Sequence, residues 1–244
     1  MLFRSRDAFP DAPDKTYVQR EVELSPEQKR LYTQMKKELR VATGDQELSV
    51  KNALEKALRL QQIVGGHVAY LDEQEMAVTA AIDGPNPKVA ELLDMMEEIP
   101  GSVVIWCAFV PEILMVAAAL RKAYGDEQVV ELHGAIDEAE RDRNVNVLFQ
   151  SGTARFLVAN ASVGGMGLSM YKADTEVFFS NSFNYTDREQ AEARAFAPGK
   201  PQGTLIVDLI ATGTIDEHIH RALTAKKSMS EYIRDSIENI RDAL

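Results

Sequence analysis

From about residue 86 onward, short unbroken apolar runs alternate with stretches in which apolar residues recur every three or four positions. The runs are "SVVIWCA", "QVVEL", "RFLVAN", "TEVFFS" and "TLIVDLI". Apolar on both faces and bounded by turn residues, they predict fully buried strands. Between them the spacing predicts helices near Pro111–Tyr124, Asp137–Gln150 and Asp187–Ala197. Ahead of the first strand, "KVAELLDMMEEI" places Val89, Leu92, Leu93 and Met96 on one stripe. Asp137 with Glu140 and Thr186 with Glu189 have capping-box spacing. Buried strands alternating with helices predict an α/β fold, a mostly parallel sheet with helices on both faces. Ligands of such sheets sit at the carboxyl ends of strands, which directs attention to the loops after Ala108, Leu132, Asn160 and Ser180.

The flanks read differently. After an irregular lead-in, "LSPEQKRLYTQM" predicts a helix with Ser25 as N-cap, Pro26 in its first turn and Gln28 closing a capping box. A second helix from about Ser49 carries Leu54, Ala57, Leu58 and Gln61 on one stripe and stops at Gly65-Gly66. Residues 71–87 read as a polar connection with a weak strand in "MAVTAAI". From Thr214 one long or broken helix is expected, with Met229, Ile233, Ile237 and Ile240 as its stripe. The expected division is a helical protrusion and linker (1–85), an α/β lobe (86–213) and a helical extension (214–244).

Composition narrows the function. Of 244 residues 45% are hydrophobic, yet no apolar run approaches the ~20 residues of a membrane span. The first residues lack the apolar stretch of a secretory signal, and the single cysteine, Cys107, lies in an apolar run and reads as a small buried hydrophobe. A cytoplasmic protein without membrane association is expected. The net charge of −11 opposes a phosphate backbone, so DNA binding by the chain alone is expected to be weak and salt-sensitive.

Singly, the motifs say little. "GGMG" at Gly164–Gly167 and "LHG" at Leu132–Gly134 suit tight turns as well as ligands, and His218 and His220 are spaced wrongly to share a helix face. In order, they say more. "VVIWCAFVPEI", the long segment from "ELHGAID" through "VANASVGGMGLSMYKADTEVFFSNSFNYTDREQAEARAFAPGK", and "DLIATGTIDEHIHRAL" together resemble the second RecA-like lobe of Snf-type superfamily-two DNA translocases, the bacterial and phage members most of all. The earlier segments "KTYVQREVELSPEQKRLYTQM" and "LRLQQIVGG" are similar to that family's protrusion and linker.

The resemblance implies roles by position. Phe109, His133 with Gly134, and Asn160 with Ser162 would grip the phosphates of one DNA strand. The glycine loop, including Gly165 and Gly167, would join that face to the nucleotide cleft. Gln190 and Arg194 would face ATP carried by a first lobe. The chain departs from the family's last motif, Gln-Ala-x-x-Arg-x-x-Arg-x-Gly-Gln: Ala197 replaces the second arginine, Phe196 the histidine and Lys200 the final glutamine. Alanine has no donor and no charge, so position 197 cannot serve as an arginine finger. No GxxxxGK[ST] loop is present, and "DEQE" at 72–75 reads as a solvated charge run. The expectation is a helicase-family hydrolase lobe that is not an autonomous ATPase, with ATP and magnesium engaged only beside a complementary first lobe. The alternative is a pseudo-enzyme retained as a protein-binding module.

Overall fold

In the computed structural model, residues 15–43, 50–71, 74–162, 169–195 and 203–235 are described. The chain runs β1 (Lys15–Val22), α1 (Pro26–Thr43), α2 (Val50–Gly65), β2 (His67–Leu71), β3 (Ala77–Ala81), α3 (Pro87–Glu98) and β4 (Val103–Cys107). It continues through α4 (Val110–Tyr124), β5 (Val129–Leu132), α5 (Glu138–Asp142), β6 (Phe156–Asn160), β7 (Thr175–Phe178), α6 (Tyr185–Ala195), β8 (Thr204–Ala211), α7 (Ile215–Thr224) and α8 (Met229–Asp235). Six strands form one sheet in the order β1-β8-β7-β4-β6-β5, every pair parallel. All their carboxyl ends therefore emerge along one edge.

The unbroken apolar runs follow from two covered faces. In β4, Val103, Ile105 and Cys107 pack with Leu92, Met96, Ile113, Val116 and Leu120 of α3 and α4. The alternate residues Val104 and Trp106 pack on the other face with Val145, Phe149, Ala191 and Ala195. Cys107 is fully buried as expected, and burial raises its thiol well above the ordinary range. A third cluster joins α1, α2, α7 and α8 through Tyr32, Leu60, Ile63, Ile219 and Ile233.

Three expectations need correction. The lead-in is not irregular: Lys15–Val22 form β1, paired in parallel with β8. Its residues from Thr16 to Glu21 are exposed on both faces, so it lacks the apolar signature of the inner strands. The helix expected over Asp137–Gln150 is α-helical only to Asp142 and continues as a π-helical segment, Arg143–Phe149. Asn184, not Thr186, caps α6, its Oδ1 accepting the Thr186 amide at 3.0 Å, and the helix starts two residues earlier than expected. The Ser25–Gln28 capping box is present, with reciprocal bonds of 3.1 and 3.3 Å. The Gln28 side chain also donates to the Ile63 and Val64 carbonyls at the end of α2, tying the two helices together. Ile237 and Ile240 lie outside the described residues.

Beneath the carboxyl edge is a buried ion pair. Lys88 Nζ donates to Asp216 Oδ2 at 2.5 Å and to the Phe179 carbonyl at 2.9 Å, and Asp216 also accepts the Ala211 amide at 3.2 Å. This joins the starts of α3 and α7 to the end of β7. Removing one partner leaves the other charge buried alone, which costs about 3–5 kcal/mol. Lys88→Ala and Asp216→Ala are each expected to lose that much in urea denaturation followed by circular dichroism. Lys88→Met combined with Asp216→Leu is expected to recover part of it.

Candidate functional site

Parallel pairing sets the strand ends in a row. Leu132 of β5 registers with Ala159 of β6, and Asn160 with Cys107 of β4, while β7 flanks β4 on its other side. Three strand spacings make the row from β5 to β7 about 14 Å long. Phe109, Asn160 and Ser162 come together here, around a cavity of about 240 Å³ that Ser180, Asn181 and Arg188 also line.

The loop after β4 is held from both sides. Asn160 Nδ2 donates to the Ala108 carbonyl at 2.9 Å, while the Ala108 amide donates to Ser180 Oγ at 2.7 Å. The Asn160 carboxamide oxygen accepts the Ser162 amide at 2.8 Å, turning the chain just beyond β6. The half-buried Phe109 ring meets His67 of β2 edge-on, with centroids 5.1 Å apart. Burial lowers the His67 imidazole to about 4, so it is neutral at physiological pH.

At the far end of the row His133 and Gly134 behave differently. The His133 side chain is buried, its Nε2 3.4 Å from Glu131 Oε2. Gly134 is exposed, with nothing within 4 Å of where a β-carbon would stand. Backbone, rather than the imidazole, is what this segment presents.

Helix α6 separates the remaining predicted residues from this row. It descends from the carboxyl edge, where Arg188 stacks on Phe178 at 3.4 Å, toward the other end of the sheet. Arg194 lies six residues further on, about 9 Å down the helix axis. Gln190 and Arg194 are both half-buried, and burial draws the Arg194 guanidinium below its ordinary value while Glu176 opposes that shift. Glu176 is wholly buried in β7 and accepts from Trp106 Nε1 at 2.7 Å. Gly165, Gly167 and Ala197 lie outside the described residues.

Several residues of the site went unnoticed in the sequence. Arg188 is buried and bidentate on Asp208, at 2.5 and 3.0 Å, and also binds Asn181 and Glu192. Burial alone would raise the Glu192 carboxyl, but Arg188 and Lys15 hold it below the usual range. Gln61 of α2 donates to the Asn181 carbonyl at 2.7 Å, and Leu58 lines the strand-end cavity rather than the core. The available signals were a charged "DRE" ahead of Gln190 and a glutamate just inside the helix that follows β4.

A parallel six-stranded sheet with its polar loops gathered at the carboxyl edge is a RecA-like α/β lobe. Residues 87–199 match the protein family described as "Helicase conserved C-terminal domain". The Bacillus subtilis protein YwqA, named as an ATP-dependent helicase/translocase, is 29% identical over 96% of this chain. The chain spans 25% of the length of YwqA. The SWI2/SNF2 ATPase core domain of Sulfolobus solfataricus superposes with a TM-score of 0.73 at 19% identity, covering 95% of this chain and 49% of that one. Its C-terminal domain alone gives 0.67 at 21% identity, covering 95% and 98%. The same core in complex with double-stranded DNA gives 0.67 at 20%, covering 95% and 48%. Residues 87–199 are thus similar to helicase conserved C-terminal domains, and the fold is that of the SWI2/SNF2 ATPase C-terminal domain.

Burial raises both Glu112 of α4 and Glu176 from 4.5 to about 7. A carboxyl whose folded value exceeds its unfolded one stabilises fully below the unfolded value and loses that contribution as pH rises through the folded value. Here the window is 4.5 to about 7. Lowered His67, from 6.5 to about 4, acts with the opposite sign over most of that window, so a difference measurement isolates the carboxyl that is replaced. Glu176→Gln keeps an acceptor for Trp106. Its stability relative to the parent is expected to climb by roughly 1 kcal/mol per pH unit within the window and level off above it. Urea midpoints at stepped pH test this.

Proposed function

We propose that this chain works as the C-terminal motor lobe of a Snf2-type ATP-dependent DNA translocase, completing an ATPase only beside a first lobe. The observation that carries this is the strand-end row: Phe109, Asn160 and Ser162 sit together on loops fixed by hydrogen bonds, next to the exposed backbone of Gly134. A row of about 14 Å matches roughly four nucleotide steps at 3.4 Å each. The groups presented are mostly neutral side chains and backbone, which suits phosphate contacts that position rather than read bases.

ATP is the substrate the family implies, and Arg194 and Gln190 are this chain's contribution to it. Arg194 can place a permanent charge near a transferring phosphoryl group, stabilising negative charge as it spreads. The described residues include no group of three or more His, Cys, Asp or Glu side chains able to hold a metal, so no magnesium ligand is assigned to them and no step is routed through the ion. Among the described residues no helix is long and apolar enough to cross a membrane.

A second reading, a pseudo-helicase kept as a protein-binding module, draws support from Ala197 in place of the expected arginine and from the net charge of −11. Mixing the chain with the first lobe of a Snf2-type relative such as YwqA discriminates the two. The motor reading expects DNA-stimulated ATP hydrolysis that Arg194→Ala lowers by ~10³-fold, the usual scale for losing such an arginine. Ala197→Arg is expected to raise the rate. Complex formation without turnover above the first-lobe background, in the parent and in Ala197→Arg alike, would leave only the binding-module reading.

A further inference from the structure

Glu112 is the third residue of α4 and is wholly buried, yet its hydrogen bonds are not to a counter-ion. Its Oε2 accepts the Phe109 amide at 3.2 Å and the Ser180 hydroxyl. Ser180 Oγ in turn accepts the Ala108 amide at 2.7 Å. Oε1 has no hydrogen-bond partner and lies so close to Gly65 that a β-carbon there would overlap it. One carboxyl thus organises backbone and side-chain groups of two loops, those following β4 and β7, and abuts the end of α2.

A purely architectural role explains this poorly. Burying a carboxylate is costly, and an apolar residue at the first turn of α4 would fill the same space at less cost. What only an acceptor at this point can do is fix the Phe109 amide and orient the Ser180 hydroxyl so that it receives Ala108.

We propose that Glu112 is the positioning residue of the strand-end row: it sets the Ala108–Phe109 backbone, and with it the Phe109 side chain, without touching the ligand itself. This rests on the reading of that row as the phosphate-contacting edge. The site is also proton-linked. Burial raises the Glu112 carboxyl to about 7, while Ser180, the Lys88 ammonium of α3 and the Phe109 amide pull it down and Asp216 of α7 pushes it up. Cys107 of β4 also faces it, with a thiol raised far out of range, and His67 beside Phe109 is already neutral. Within the physiological range, then, Glu112 is the titrating group at this loop.

The test uses the ¹⁵N-labelled chain, followed by amide resonances between about pH 5 and 9. Ala108 and Phe109 are expected to shift together with one midpoint near 7. Glu112→Gln, folded and still able to accept, is expected to leave both resonances flat. Ser180→Ala is expected to abolish the Ala108 response and keep that of Phe109, a split that general loosening would not produce. Resonances that ignore pH, or that move equally in the parent and in Glu112→Gln, would overturn the proposal. Adding a short DNA duplex separates it from the reading beneath it. If that reading holds, Ser180→Ala weakens duplex binding roughly tenfold. At low salt, where the weak binding expected of the chain alone is strongest, a duplex that perturbs no amide along the row would remove the DNA reading and leave the pH response as support for the positioning role.

Discussion

Lys88 reaches from the first turn of α3 to Asp216 at 2.5 Å and the Phe179 carbonyl at 2.9 Å, with only about 1% of its surface in water. Few contacts in the molecule join so many elements. It fixes where α3 starts, where β7 ends and where α7 begins, directly beneath the edge that carries the candidate site. A buried pair of this kind adds little net stability over an apolar substitute, but it tolerates only one arrangement of its surroundings. Ser180 and Glu112 stand immediately above that arrangement. The loop geometry at the carboxyl edge therefore depends on charges that are nowhere near solvent.

Helix α6 holds its two arginines in different surroundings. Its first turns are anchored by Arg188, whose guanidinium donates four hydrogen bonds to Asp208, Asn181 and Glu192 and stacks on Phe178. Those bonds hold the helix on the sheet. Arg194 sits in a different environment, half-buried and under the influence of Glu176. Position 197, where the resemblance implies a further arginine, holds alanine.

How much of this was legible follows from how each feature is encoded. The inner strands were readable because two covered faces demand continuous apolar residues, as in "SVVIWCA". β1 was not, because "KTYVQREV" is a sheet edge with both faces open and carries no apolar run. The Ser25–Gln28 cap could be read because both partners are local. The Thr186–Glu189 spacing misled because Asn184, two residues earlier, offers the same Asx-type acceptor first. At the site, Phe109, Asn160 and Ser162 were found through the order of motifs, since each lies at a strand end. Glu112, Ser180 and Arg188 were not, because their partners are 68, 72 and 20 residues away. Only the sheet topology brings these groups together.

Charge is the remaining tension. A surface of net charge −11 repels a phosphate backbone, and Lys15, Lys88 and Arg188 are each committed to carboxylates. An edge built from the Gly134 backbone, the Phe109 loop and the hydroxyl and amide groups of Ser162 and Asn160 avoids that tension without adding cations. Its donors are strong only where they are held in place and kept from relaxing toward water. On the proposed reading, preorganisation of such an edge adds to the salt-dependent counterion release rather than replacing it. That is the physical reason so many buried groups converge beneath it.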